Sequence, residues 1–169
     1  MKLKPETITA ERFAPFGDLI ETGTDPMIIN YGNTERHHDL AELDLLEQGG
    51  KPIVSIFRSR PLPQPITLKL MERHPLSSQA FIPLGDRPYL VAVAPAGEFD
   101  AGALRLFIVG PGQGVNYHRG TWHHFCLALG RVSDFVVIDR GGAGHNCDEI
   151  ELPEPIEVDL SDCVEPIDA

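Results

Sequence analysis

The chain has 169 residues, 42% of them apolar, and a formal net charge of −11 at pH 7. That length fits one domain, residues 1–169, with a sizeable core, and the apolar share argues against disorder. The negative charge argues against nucleic acid or an anionic membrane as partner, so an anionic substrate needs a local cationic pocket.

In chain order, Thr9 to Phe13 reads as one short helix capped by Thr9. Phe16 to Ile20 and Met27 to Asn30 read as early strands. Asp39 to Gln48 is ambiguous, because its Leu spacing suits a helical turn as well as a strand. Further strands are expected at Ile53–Arg60, Ile66–His74, Gln79–Leu84, Tyr89–Ala94 and Leu104–Val109. Gly114–His118, Trp122–Leu129 and Ser133–Arg140 complete the set. After Glu149 the chain turns acidic and Pro-rich, and residues 150–169 are expected to wrap the outside as an extended arm. The 16 Gly and 15 Pro punctuate these runs throughout. So many short strands with one or two short helices imply an all-β fold, closed or double-sheet, since such barrels manage their edges best.

Cys126, Cys147 and Cys163 are odd in number and hold no C-x-x-C pair, which disfavours a disulfide framework or a four-cysteine zinc site. Residues 1–6 lack the apolar run of a signal peptide, and no stretch approaches the ~18 apolar residues of a membrane span. A soluble cytoplasmic protein is the expectation. Ten of the 14 basic residues are Arg, the side chain that grips carboxylates in bidentate fashion.

Side-chain parity along strands sorts the candidate chemical groups. In Ile66–His74 one face reads Ile66, Leu68, Leu70, Glu72, His74: an apolar stripe ending in two polar groups, as when a strand leaves a core and enters a pocket. His123 shares its face with Phe125, Leu127 and Leu129. His118, His123 and His124 crowd into seven positions, and imidazole suits both acid–base chemistry and metal binding near neutral pH. Glu72, His74 and His123 are therefore expected to converge in one pocket. Arg58 and Arg140 are both candidates for a substrate carboxylate, and Tyr117 and Trp122 for lining the pocket. The glycine-rich Arg140–Gly144 run lacks the Lys and following helix of a phosphate loop and reads as a turn.

Gly112, His118, Gly120 and His123 stand in the spacing of the second cupin motif, with His118 in place of the usual Pro. The first motif is matched by Glu72-x-His74-x4-Gln79 and Gly85, with Glu for one His and Gln for the Glu. That departs from the usual cupin ligand set and leaves Glu72, His74 and His123 as a three-ligand metal group with an open position. The segments INYGNTERHHDLAEL (Ile29–Leu43), ERHPLSSQAFIPL (Glu72–Leu84), GVNYHRGTWHH (Gly114–His124) and DFVVIDRGG (Asp134–Gly142) resemble the ureidoglycolate lyase family over about Phe13 to Asp148.

This resemblance implies a cupin-like double-sheet β-barrel (jelly roll), usually a homodimer. It also implies cleavage of (S)-ureidoglycolate to glyoxylate and urea in allantoin degradation, and a divalent metal (nickel, zinc or manganese) in some members. The reaction removes a hydroxyl proton while the C–N bond breaks and urea takes up a proton. His123, His74 or Glu72 can serve as the base and His118 as the acid. Two other readings remain at this level: a metal-dependent cupin oxygenase or isomerase, and a non-catalytic cupin that binds a small acid.

Overall fold

The structure is a computed structural model that describes residues 2–163. Its strands begin with β1 (Lys2–Leu3), β2 (Glu6–Thr7), β3 (Gly17–Ile20), β4 (Met27–Ile29), β5 (Thr34–Arg36), β6 (Lys51–Ser59) and β7 (Thr67–Arg73). They continue with β8 (Gln79–Pro83), β9 (Tyr89–Ala94), β10 (Arg105–Val109), β11 (Gly114–Tyr117), β12 (Trp122–His123), β13 (Leu127–Ala128), β14 (Ser133–Gly141) and β15 (Asp148–Val158). Helix α1 (Ala10–Phe13) opens as the sequence implies, with the Thr9 hydroxyl accepting from the Arg12 amide.

The larger sheet runs β1-β15-β7-β12-β9-β10-β2, with β13 also on β9, and the smaller runs β3-β11-β8-β14-β6. A separate hairpin joins β4 and β5. This is the expected all-β, cupin-like arrangement of two sheets. β9 shows how they pack, because all six of its residues are buried. Tyr89, Val91 and Val93 join Phe81, Val115, Phe135 and Val137 of the smaller sheet in one core. Leu90, Ala92 and Ala94 face the opposite way into a second core with Leu68, Met71, Trp122 and Ile156. Each large side chain so buried contributes roughly 1.5–3 kcal/mol.

Four expectations change. Of Asp39–Gln48, residues 39–46 form neither helix nor strand but a strap, and Glu47 and Gln48 open a 3-10 turn that ends at Gly49. Trp122–Leu129 is two short strands, β12 and β13, separated by His124–Cys126. In β7 the apolar parity breaks: Leu68 and Met71, three apart, share one core, so Glu72 points to the other side, between the sheets. A register shift between Glu151 and Ile156, around Pro153 and Pro155, accompanies that bend. Residues 148–158 are extended, yet they pair with β7 and β1 as a strand of the larger sheet rather than wrapping its outside. The part of the expected arm at residues 164–169 lies outside the described residues.

The strap is tied down by one carboxylate. Asp18 on β3 accepts from Asn116 Nδ2 at 2.9 Å, from the Glu42 amide at 3.1 Å and from His118 Nε2 at 3.0 Å. Burial alone pushes its pKa up, but the Asn116 and His118 bonds outweigh that and hold it below the ordinary Asp value. A depressed folded-state pKa stabilises above the unfolded value and loses that stabilisation as pH falls through the folded one. Asp18→Ala should therefore cost about 1–3 kcal/mol at pH 7 by denaturant titration, and the deficit should shrink below about pH 4. An unchanged midpoint at pH 7 would show that the strap is held by other contacts.

Candidate active site

The site is assembled by sheet register. Cross-strand partners present their side chains on the same face. On the larger sheet His123 is opposite both Glu72 and Val93. On the smaller sheet Tyr117 is opposite Gln79. Ile138 is opposite Ala80, so one step along the ladder sets Asp139 beside Gln79. One row therefore carries Glu72 and His123, the other Tyr117, Gln79 and Asp139, and the rows meet where the Tyr117 ring stacks on His123 at 4.3 Å and 13°.

Both key imidazoles are fixed by backbone carbonyls. His123, 1% exposed, places Nδ1 3.0 Å from Thr121 O. His74 places Nδ1 2.6 Å from Asn146 O, while the Asn146 side chain accepts from the Leu76 amide and donates to Ser77 Oγ. A carbonyl can only accept, so each Nδ1 carries a proton and, in the neutral ring, each Nε2 carries a lone pair. Both Nε2 atoms are buried without a partner. Glu72 Oε1 lies 3.4 Å from His123 Nε2, close but not aligned as a hydrogen bond. When His123 is protonated, its Nε2–H faces Glu72 and holds that carboxyl below its usual range against the opposing effect of burial; burial pushes the His74 ring below the ordinary imidazole value.

Glu72, His74 and His123 thus offer three acceptor atoms within 4.8 Å of one another. Acceptors crowded together out of water repel unless a proton or cation sits among them. Two imidazole nitrogens and one carboxylate oxygen, with each His oriented from its far nitrogen, suit a first-row divalent ion. The residues fit such an ion.

Beside this group lies a cavity of about 350 Å³, lined by His74, Gln79, Asp139, Arg140, Asn146 and Cys147 among others. The Arg140 guanidinium, in a residue only 7% exposed, donates to the carbonyls of Glu47 (3.0 Å), Gln48 (3.4 Å) and Ala143 (2.8 Å). Among the described residues no carboxylate pairs with it within 4.0 Å. Its charge is solvated by carbonyl dipoles and left available to a ligand. Gly50 and Gly144 make room for it: a Cβ on Gly50 would meet Arg140 Nε at 2.3 Å, and Gly144 turns with φ +103°. Of the Arg140–Gly144 run, expected to be a turn, Arg140 and Gly141 end β14 and the bend falls at Gly142–Gly144; Arg140 and Gly144 wall the cavity.

The other sequence candidates go elsewhere. Arg58 is exposed and its fork is spent on Asp134, with two 2.8 Å bonds, at the rim of a separate cavity. His118 turns its half-exposed ring to Asp18, in a groove with Glu42 and Arg119. Trp122 faces the second core, against Phe99, with the Arg73 guanidinium over its ring. Tyr117 is buried behind His123 and supports that ring instead of lining the cavity. Sequence reasoning passed over Asp139 and Asn146, and noted Gln79 only as a departure from a motif. The Gln was the available signal.

The family model described as ureidoglycolate lyase matches residues 1–159. A ureidoglycolate lyase of Burkholderia mallei is 54% identical over 155 residues, 91% of either chain. One of Burkholderia cepacia is 55% identical over 152 residues, 89% of this chain and 86% of that protein. One of Pseudomonas syringae pv. tomato is 53% identical over 146 residues, 85% and 86% respectively. If the three acceptor atoms hold a cation, calorimetry on chelator-treated protein should show one divalent ion bound per chain. His123→Ala should weaken it by at least the ~10–100-fold that loss of an outer-shell partner costs. Equal affinity in the variant would remove His123 from the ligand set.

Proposed function

We propose that this chain, which belongs to the ureidoglycolate lyase family, cleaves (S)-ureidoglycolate to glyoxylate and urea in allantoin degradation. The observation that carries the reading is the buried acceptor group of Glu72, His74 and His123 beside the unpaired Arg140. An enzyme of this family is a lyase, and that sets the oxygenase and binding-protein readings aside.

Ureidoglycolate bears a hydroxyl and a ureido nitrogen on one carbon, next to a carboxylate. Arg140 takes the carboxylate, which suits a cation that an acidic protein has left without an acidic partner. Glu72 is ionised at neutral pH, and its Oε2 lies 4.0 Å from Cys147 Sγ at the cavity wall. It accepts the hydroxyl proton. The oxygen electron pair becomes the aldehyde C=O, the C–N bonding pair moves to nitrogen, and the same carboxyl returns the proton there. One shuttle suffices because oxygen and nitrogen share a carbon, and no proton is gained or lost. A divalent ion (nickel, zinc or manganese) held by Glu72, His74 and His123 would supply Lewis acidity toward the hydroxyl and carboxylate. Release of ammonia would instead need water to attack the ureido carbonyl with donors around a tetrahedral oxyanion.

The three free cysteines fit a reducing cytoplasm, and no described helix is long and apolar enough to cross a membrane. A homodimer is supported by β6, an edge strand of nine residues that leaves Val54 71% and Ile56 57% exposed. If β6 is the contact, Ile56→Lys should yield monomers by light scattering. A variant that remains dimeric places the contact elsewhere.

Turnover should yield urea and glyoxylate in equal amounts without ammonium in a urease-free assay, and stoichiometric ammonium would overturn the assignment. Glu72→Gln should lower kcat by roughly 10²–10⁴-fold. Arg140→Lys should raise KM by about 10–100-fold, the worth of a hydrogen bond between charged groups made by the Nη1 that the carbonyls leave open. Unchanged KM would mean that the carboxylate is held by another group.

A further inference from the structure

Two acceptors in the cavity are not used by the chemistry above. Gln79 is 5% exposed, and its Oε1 is buried without a partner. Asp139 Oδ1 is likewise buried and unpartnered, while Oδ2 takes only a long 3.4 Å bond from Gln79 Nε2. Neither residue belongs to the metal-ligand group. Arg140 follows Asp139 directly in the chain, yet the two are not ion-paired, because the guanidinium turns to the carbonyls of Glu47, Gln48 and Ala143. A buried carboxylate oxygen and a buried amide oxygen left open are costly unless a ligand supplies donors. All of these groups line one cavity with His74.

Of the parts of ureidoglycolate, the carboxylate and hydroxyl need donors or a base, and Arg140 and Glu72 answer them. The ureido end differs, since it presents several N–H donors and needs acceptors. Resting on the reading of this site as a ureidoglycolate lyase centre, we propose that Gln79 Oε1 and Asp139 Oδ1 receive the ureido N–H groups and set selectivity for a ureido substituent. Anchored by its carboxylate on Arg140 and its ureido end on Asp139 and Gln79, the substrate has one orientation. Its reacting carbon then lies toward His74 and Glu72. The same acceptors release urea once the C–N bond has broken, because urea alone lacks the Arg140 contact.

Two unreactive compounds isolate the claim. N-Carbamoylglycine keeps the carboxylate and the full ureido group but lacks the hydroxyl. N-Acetylglycine replaces the terminal NH2 by methyl. Calorimetry on the purified full chain should show wild type preferring N-carbamoylglycine by about 10–100-fold, the worth of a hydrogen bond to a charged group. Asp139→Asn turns an acceptor toward donor character at constant volume. It should bring the preference below about 3-fold and raise KM for ureidoglycolate. Its melting temperature should not fall, because the carboxylate it replaces is unsatisfied, whereas a merely structural Asp139 would give a less stable protein with its preference intact. Gln79→Leu carries the same ligand test independently should Asp139→Asn lose stability. Undiminished preference in both variants overturns the subsite. Wild type that turns over ureidoglycolate in that case leaves the lyase reading standing, whereas wild type that releases no urea fails the lyase reading itself.

Discussion

Everything at this site depends on two backbone carbonyls. Thr121 O and Asn146 O each hold the Nδ1 proton of an imidazole, and so they aim both Nε2 lone pairs inward. With the Glu72 carboxylate between the same sheets, the protein has concentrated electron pairs where it supplies no proton of its own. Such an arrangement is held by surrounding packing, not by its own attraction. Tyr117 against one ring and the Asn146–Ser77 clamp behind the other provide that restraint.

The fold delivers these groups by register. A one-residue slip in β7 would send Glu72 into the apolar core and bring Met71 to the site, since neighbours on a strand face opposite ways. The two cores fix that register from both sides, Met71 and Trp122 in one, Tyr117 and Val93 in the other. Charge is distributed by the same logic. Four of the ten arginines are neutralised where they lie, Arg58 by Asp134, Arg73 by Asp148, Arg105 by Glu6 and Arg119 by Asp44 and Glu47. Arg140 is solvated by peptide dipoles, and it alone of these keeps a charge that faces the cavity.

The strands were legible because Gly and Pro bound them and their apolar runs are unmistakable: Tyr89–Ala94 is read to the residue. The metal-type group was legible in outcome. Glu72 and His123 meet, but they face away from Leu68 and from Leu127, with which parity had grouped them, because β7 bends and β12 stops after two residues. Irregular backbone of that kind leaves little trace in an alternation pattern. The choice between Arg58 and Arg140 was not legible at all, since it turns on Asp134 lying across a strand pair and on a strap closing over Arg140. His118 stood within the right motif, yet Asp18, a hundred positions earlier, draws its ring away. Such partners are neighbours in space alone.

The order in which the chain is made gives the last strand a particular meaning. β7, which carries Glu72, lies between β12 and β15, and Asn146, which orients His74, lies two residues before the start of β15. A nascent chain that stops short of residue 146 has its apolar strands, but one edge of β7 is open and one imidazole is free to turn. Non-local pairing of this kind forms late and is slow to nucleate. The candidate site is therefore finished by the last stretch of the described chain, so a partly synthesised or C-terminally clipped molecule carries a bare strand edge in place of the assembled group.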